Sequence, residues 1–149
     1  MTQSPVVTLH EITKETVRAI IGLEVAESQR DFVAPNSVSI AQAHFEPKAW
    51  FRAIYSGEDP VGFVMVFEDP DKPEYFLWRY MIDAGHQGKG FGRAALEQVI
   101  ERVRGLPNAT GLLTSYVPGE GSPGDFYHLM GFVDNGEEEH GELFTVLEF

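Results

Sequence analysis

The stretch from His86 to Gly92, HQGKGFG, sets three glycines at alternate positions between an apolar β-type run, YFLWRYMID, and a strong helical run, RAALEQVIERVR. Glycine is the poorest helix residue after proline, so glycines at the mouth of a helix call for a chemical reason. Strand, glycine loop, helix is a way to hold a phosphate. Backbone N–H groups converge at the helix N-terminus, the helix dipole favours an anion, and missing side chains let the backbone approach closely. Two familiar phosphate loops fit poorly. A Walker A loop needs a hydroxyl residue after Gly-Lys, and Gly90 follows Lys89 here. A dinucleotide fingerprint needs a third glycine where Arg93 stands, and a parallel unit where the preceding runs read as an antiparallel meander. Taken by themselves, the glycines also fit a loop that only makes a tight strand-to-helix turn.

The second group with chemical potential is acidic. The segment from Lys14 to about Asp31 carries apolar residues at helical spacing behind Thr13, a capping residue type, which predicts one long helix. At about 100° per residue, Glu24, Glu27 and Asp31 fall within about 80° of Val17, on the side of the Ile20 and Ile21 stripe. They lie toward the predicted helix C-terminus, where the dipole disfavours negative charge, so they suggest a cleft that wants a cation. Carboxylates solvated beyond an earlier helix end are the other reading.

The elements that must position these groups follow from periodicity. VVTLHEI reads as a first strand, and SIAQAHF (Ser39 to Phe45) as a short second helix capped by Ser37 or Ser39. WFRAIYS and VGFVMVF around GEDP form a hairpin, and EDPDKPE leads into YFLWRYMID. A helix from about Phe91 to Arg104 stops at Gly105 and Pro107. Then come the strand TGLLTSY, the loop PGEGSPG, the short helix DFYHLM and a closing strand pair around an acidic turn. No internal repeat or linker divides the 149 residues, so residues 1–149 are expected to form one domain, and 43% hydrophobic residues suffice for a packed core.

Composition bounds the chemistry further. Cysteine is absent, which excludes disulfides, thiol catalysis and zinc–thiolate sites. The five histidines, at 10, 44, 86, 128 and 140, show no metal-ligand spacing, so no metal is expected. With 23 acidic against 11 basic side chains, the formal charge of −12 repels nucleic acid and attracts cations. No run is long and apolar enough to span a membrane, and MTQSPVVTLHEI lacks a signal-peptide layout, so a cytoplasmic protein is expected.

Gln87, Gly90 and Gly92 spell Gln-x-x-Gly-x-Gly, which resembles the coenzyme A pyrophosphate loop of the GNAT family of N-acetyltransferases, with Ile82 as the apolar residue five positions earlier. FYHLMGF, from Phe126 to Phe132, resembles the family's later signature, a tyrosine four residues before Gly-Phe. The two motifs stand in the family's order, one helix and one strand apart. LEVAESQRDFVAPNSVSIAQAHF, YFLWRYMID and VPGEGSPGDFY are similar to the bacterial spermine/spermidine acetyltransferase branch. The last of these departs from the commoner form, which has an asparagine where Val117 or Glu120 stands.

The resemblance implies an α/β fold with a mixed, mostly antiparallel sheet of six to seven strands flanked by about four helices. It implies acetyl-CoA as cosubstrate. The backbone N–H groups of Gly88, Gly90, Gly92 and Arg93 would cradle the pyrophosphate within the loop Gln87 to Arg93. Lys89 and Arg93 would add charge, and Phe91 completes the loop. The edge from Tyr80 through Met81 to Ile82 would pair with the pantetheine, and the Tyr80 N–H would face the thioester oxygen as an oxyanion donor. Tyr127 would be the general acid beside the cofactor, Tyr80 would help position the amine, and Glu24 or Glu27 would be the base, directly or through water. Glu24, Glu27 and Asp31 would bind the acceptor, a polyamine such as spermidine or spermine. Another small amine, a protein amine, and a non-catalytic acyl-CoA sensor stay open as alternatives. Neither nucleic acid nor membrane is expected as a partner. Dimerisation is common in the family, and no residue pattern here marks the surface for a homodimer.

Overall fold

The computed structural model describes residues 5–149; the first four residues, part of the stretch MTQSPVVTLHEI, lie outside it. Seven strands form one sheet in the order β1-β2-β3-β4-β5-β7-β6. They are β1 (Thr8–His10), β2 (Ala49–Ser56), β3 (Asp59–Asp69), β4 (Glu74–Ile82), β5 (Gly111–Tyr116), β6 (Val133–Glu139) and β7 (Glu142–Glu148). Every neighbouring pair is antiparallel except β4 and β5, so the sheet is mixed and mostly antiparallel, as expected. Four α-helices accompany it: α1 (Val17–Ile21), α2 (Asn36–His44), α3 (Phe91–Arg104) and α4 (Gly124–Leu129). No helix among the described residues is long and apolar enough to cross a membrane.

Each sheet face has its own core. On α3, Ala95, Leu96, Val99, Ile100 and Val103 recur at helical spacing and are all buried. They pack against Val64, Val66, Leu77 and Leu112. On the other face, Ile20 of α1 and Ala43 of α2 cover Ala53, Phe63, Met65 and Met81. Burying side chains of this size contributes about 1.5–3 kcal/mol each, which makes the sheet the fixed frame for the site.

The first helix is shorter than its periodicity predicts. It ends at Ile21, where the Gly22 N–H closes on Arg18, and residues 23–26 leave the helix altogether. The competing partner is β4's extension. Glu24 N–H donates to Asp83 Oδ1 at 2.9 Å, and Ala84 N–H donates to the Glu24 carbonyl at 2.7 Å. These bonds satisfy the backbone outside a helix. A separate 3₁₀ segment, Glu27–Phe32, follows. The second helix starts earlier than expected, at Asn36. Neither Ser37 nor Ser39 caps it, and the buried Asn36 amide donates 2.9 Å to the Ile20 carbonyl, tying α2 to the end of α1.

Gly62 shows how closely β3 and β4 are fitted where the site begins. A Cβ there would stand 2.4 Å from the Met81 carbonyl oxygen. Gly62→Ala should therefore push β4 out at Met81 and cost about 1–3 kcal/mol, lowering the melting midpoint by several degrees in a thermal denaturation scan.

Candidate active site

The site begins where the β4–β5 ladder stops. The two strands pair at Phe76↔Leu113 and Leu77↔Thr114 and then separate. The Thr114 hydroxyl donates to the Leu77 carbonyl at 2.8 Å, sealing the last rung. Immediately beyond, β4 carries a bulge. Met65 of β3 stands opposite Arg79 and Val66 opposite Leu77, so Trp78 has no partner. One extra residue reverses the alternation of side chains. Before the bulge Tyr75 and Leu77 face the α3 core, and after it Tyr80 and Ile82 do, while Trp78 and Met81 join the opposite core.

The bulge also sets the backbone. Asp83 N–H donates toward β3, to the Val61 carbonyl at 2.8 Å, while the Ile82 carbonyl faces the other way and receives the Gln87 amide at 2.9 Å. Alternate residues of a paired strand share a direction, so Tyr80 turns its N–H and C=O to the open edge as Ile82 does. That edge lies in a cleft of about 360 Å³ leading to the glycine loop.

In the loop, Gly88 and Gly90 have φ of +79° and +84°, the left-handed region that side chains disfavour. Gly90 caps α3 with no side chain, so the first-turn N–H groups of Phe91, Gly92 and Arg93 are left for an external acceptor. A Cβ on Gly92 would meet Ile82 and Phe126 at ordinary contact distance. This donor set fits a pyrophosphate. Arg93 lines the cleft with its head paired to Glu97 at 3.1 Å, and Lys89 is exposed. Gln87 anchors the loop. Besides the Ile82 carbonyl, its amide reaches Gln29 Oε1 at 2.7 Å, fastening the glycines to the 3₁₀ segment.

A second cavity, of about 550 Å³, runs from the fork toward Ser115, Glu142 and Phe144. The two cavities share Phe32, Val33, Tyr80 and Pro123. A roof closes over them, because the loop after β5 lies directly on the 3₁₀ segment. A Cβ on Gly121 would stand 2.2 Å from the Ser28 carbonyl. A wider depression of about 970 Å³ lies over the paired end of the fork, around Phe76, Leu113 and Val146, and includes no residue of the glycine loop.

Two tyrosines stand at the junction. The Tyr80 hydroxyl donates to the Gly92 carbonyl, and its ring stacks on Phe126 at 6.1 Å. Burial of the phenol, with Tyr127 adding to it, raises its pKa well above the usual 10. Tyr80 thus braces α3 with its side chain and offers only its backbone to the cleft. Tyr127 lines the second cavity, and burial raises its phenol to about 12, against a smaller opposing effect of the Thr114 hydroxyl.

The acidic residues separate. Glu24, with its side chain 72% exposed and paired to Arg30 at 3.7 Å, lines neither cavity, and Glu27 is likewise an exposed residue outside both. The helix expected to carry them inward ends at Ile21, so their predicted phase does not apply. Asp31 lines the second cavity. Sequence reading missed Glu142, Arg79, Gln29 and His86, all of which line one cavity or the other. Arg79 is half-buried, donating to the Trp78 carbonyl and to Gln42 Oε1 at 3.0 and 3.1 Å. His86 Nδ1 meets Asp83 Oδ2 at 3.1 Å, a pairing visible only once the loop is folded.

The sheet forks beside a bulge, with a glycine loop on one side of the fork and a buried tyrosine on the other. The profile of the Acetyltransferase (GNAT) family matches residues 17–132, and the chain belongs to that family. It is 28% identical over 153 residues to the spermine/spermidine N(1)-acetyltransferase of Bacillus subtilis, covering 95% of this chain and 98% of that one. A shorter match, 33% over 61 residues, covers 40% of this chain and 34% of the L-2,4-diaminobutyric acid acetyltransferase of Streptomyces avermitilis. Among solved structures, the spermidine N-acetyltransferase of Vibrio cholerae in complex with CoA and spermine superposes with a TM-score of 0.71. That match is 14% identical and covers 94% of this chain and 92% of that one. The CoA complex of an N-acetyltransferase from Thermoplasma acidophilum gives 0.71 at 11% identity, over 97% and 99% of the two chains.

Gly90→Ala forces a side chain into the left-handed region at the α3 cap. We expect it to fold with a loss of about 1 kcal/mol and to weaken CoA binding at least tenfold by calorimetry.

Proposed function

We propose that the protein transfers the acetyl group of acetyl-CoA to a primary amine of a polyamine such as spermidine or spermine. Donor and acceptor meet at Tyr80, and attack is direct. The observation that carries the reading is the junction itself: an anion-cradling cleft and a second cavity share the open edge of β4, with Tyr127 on the acceptor side.

In this reading the pyrophosphate lies on the N–H groups of Gly88, Gly90, Gly92 and Arg93, and the pantetheine runs along Tyr80 to Ile82. The amine arrives through the second cavity, where Asp31 and Glu142 have no cationic partner within 4 Å among the described residues. Of the three carboxylates expected to bind the acceptor, Glu24, Glu27 and Asp31, only Asp31 lines this cavity, and Glu142 joins it there. The free amine attacks the thioester carbon, the oxyanion is held by the Tyr80 N–H, the nitrogen passes its proton to water in the open cavity, and the C–S bond breaks to release the CoA thiolate. Tyr127 hydrogen-bonds the departing thiolate. A phenol at about 12 stays protonated at any working pH, so Tyr127 serves as a donor and never as the base. The relatives' polyamine substrates and the net charge of −12, which draws polycations in, support the acceptor class.

Thiol release with acetyl-CoA and spermine, spermidine, a diamine or a lysine peptide tests the proposal. We expect turnover with the polyamines; activity confined to the peptide would refute the acceptor class. CoA binding without turnover of any amine would point to a sensor. Tyr127→Phe should lower kcat about 10²–10⁴-fold with CoA binding retained. Because the raised pKa keeps Tyr127 protonated, the wild-type rate should climb as the amine deprotonates and show no falling limb below about pH 10. A falling limb at neutral pH would exclude Tyr127 as the donor.

A further inference from the structure

The acceptor cavity holds two cations and two carboxylates in its wall, and they are unequally engaged. Arg30 is paired with Glu24 at 3.7 Å. Arg79 is committed to neutral groups, the Trp78 carbonyl and Gln42, and lies over the Trp78 ring at 5.7 Å. Its Nε is buried and has no hydrogen-bond partner. Neither guanidinium comes within 4 Å of the Asp31 or Glu142 carboxylate, and the Glu142 carboxylate acts on Arg79 only through space, against the burial that lowers the Arg79 pKa.

The two carboxylates differ in how they are held. Asp31 is an exposed residue of the 3₁₀ segment and receives no side-chain hydrogen bond. Glu142 opens β7, and its Oε1 lies 3.5 Å from the Ser115 hydroxyl. Ser115 follows Thr114, the last β5 residue paired with β4. Glu142 lies just past the last β5–β7 rung, Tyr116↔Leu143, and its side chain reaches back toward Ser115, beside the opening of the fork, with no cation within 4 Å among the described residues.

We infer that Glu142 is the specificity-determining residue that reads a second cationic nitrogen on the acceptor, a few bonds from the amine that reacts. The inference rests on the proposal that the fork is the acceptor site. It makes the second cationic nitrogen, shared by diamines and polyamines and absent from monoamines of equal length, the feature that is recognised. A contact with a nitrogen remote from the reacting atoms is made alike in the ground and transition states, so it belongs in KM.

The test is initial-rate kinetics with spermidine, 1,4-diaminobutane and butylamine for the wild-type protein, Glu142→Gln, Glu142→Asp and Asp31→Asn. Glu142 is solvent-exposed, and circular dichroism checks that its variants fold. We expect Glu142→Gln to raise KM at least tenfold for spermidine and diaminobutane, with kcat within about twofold and KM for acetyl-CoA unmoved. Butylamine should respond least, so the preference for a second nitrogen collapses. Glu142→Asp, which keeps the charge, should recover part of that preference, and Asp31→Asn should disturb it less than Glu142→Gln does. A wild-type protein that turns over diaminobutane and butylamine equally, or a Glu142→Gln variant that keeps the preference, overturns the inference and leaves the acceptor reading standing. Wild-type failure on all three amines sinks the acceptor reading, and the inference with it.

Discussion

The extra residue at Trp78 is the constraint on which the site depends. A regular β4 would continue the phase of Tyr75 and Leu77, turning the Tyr80 and Ile82 side chains away from α3. The bulge resets that phase within one residue of the last β4–β5 rung. Tyr80 can then reach Gly92 and Phe126 with its side chain while its backbone faces the cleft. Bulges raise local twist and end pairing, and here the end of pairing is the opening between two parallel neighbours.

An opened ladder leaves backbone groups without strand partners, and the surrounding segments supply replacements selectively. Thr114 satisfies the Leu77 carbonyl and Gln87 the Ile82 carbonyl, whereas Tyr80 keeps its N–H and C=O turned to the open edge. Gln87 also holds Gln29, whose Oε1 accepts the Ala26 N–H at 3.2 Å. The glycine loop, the end of β4 and the 3₁₀ segment are thus one hydrogen-bonded unit. The roof contact at Ser28 and Gly121 joins that unit to the loop leading into α4, which carries Tyr127.

Much of this was legible in the sequence, for identifiable reasons. The α3 span follows from an apolar stripe bounded by glycines, and the observed Phe91–Arg104 agrees with it. The glycine loop was legible because positive φ restricts residue type. The first helix was misjudged because its stripe continues past Gly22, whereas the Glu24 backbone is bonded by Asp83, 59 residues on, and by Ala84 beside it. No local pattern reports such a partner. Glu142 was invisible for the same reason: its place in the cavity comes from β7 lying beside β5, and its neighbour Gly141 reads simply as a turn. Arg79 sits inside a run that reads as strand, and only the bulge sends it toward the second cavity.

The central claim is that both substrates occupy the fork together and react without an acylated protein. The direct measurement is initial velocity with acetyl-CoA and spermidine varied against each other, accompanied by the mass of the protein after exposure to acetyl-CoA alone. Intersecting reciprocal lines and an unchanged protein mass are the predicted result. Parallel lines together with a stoichiometric acetylated protein would contradict it, since transfer would then run through an acetylated side chain of the protein.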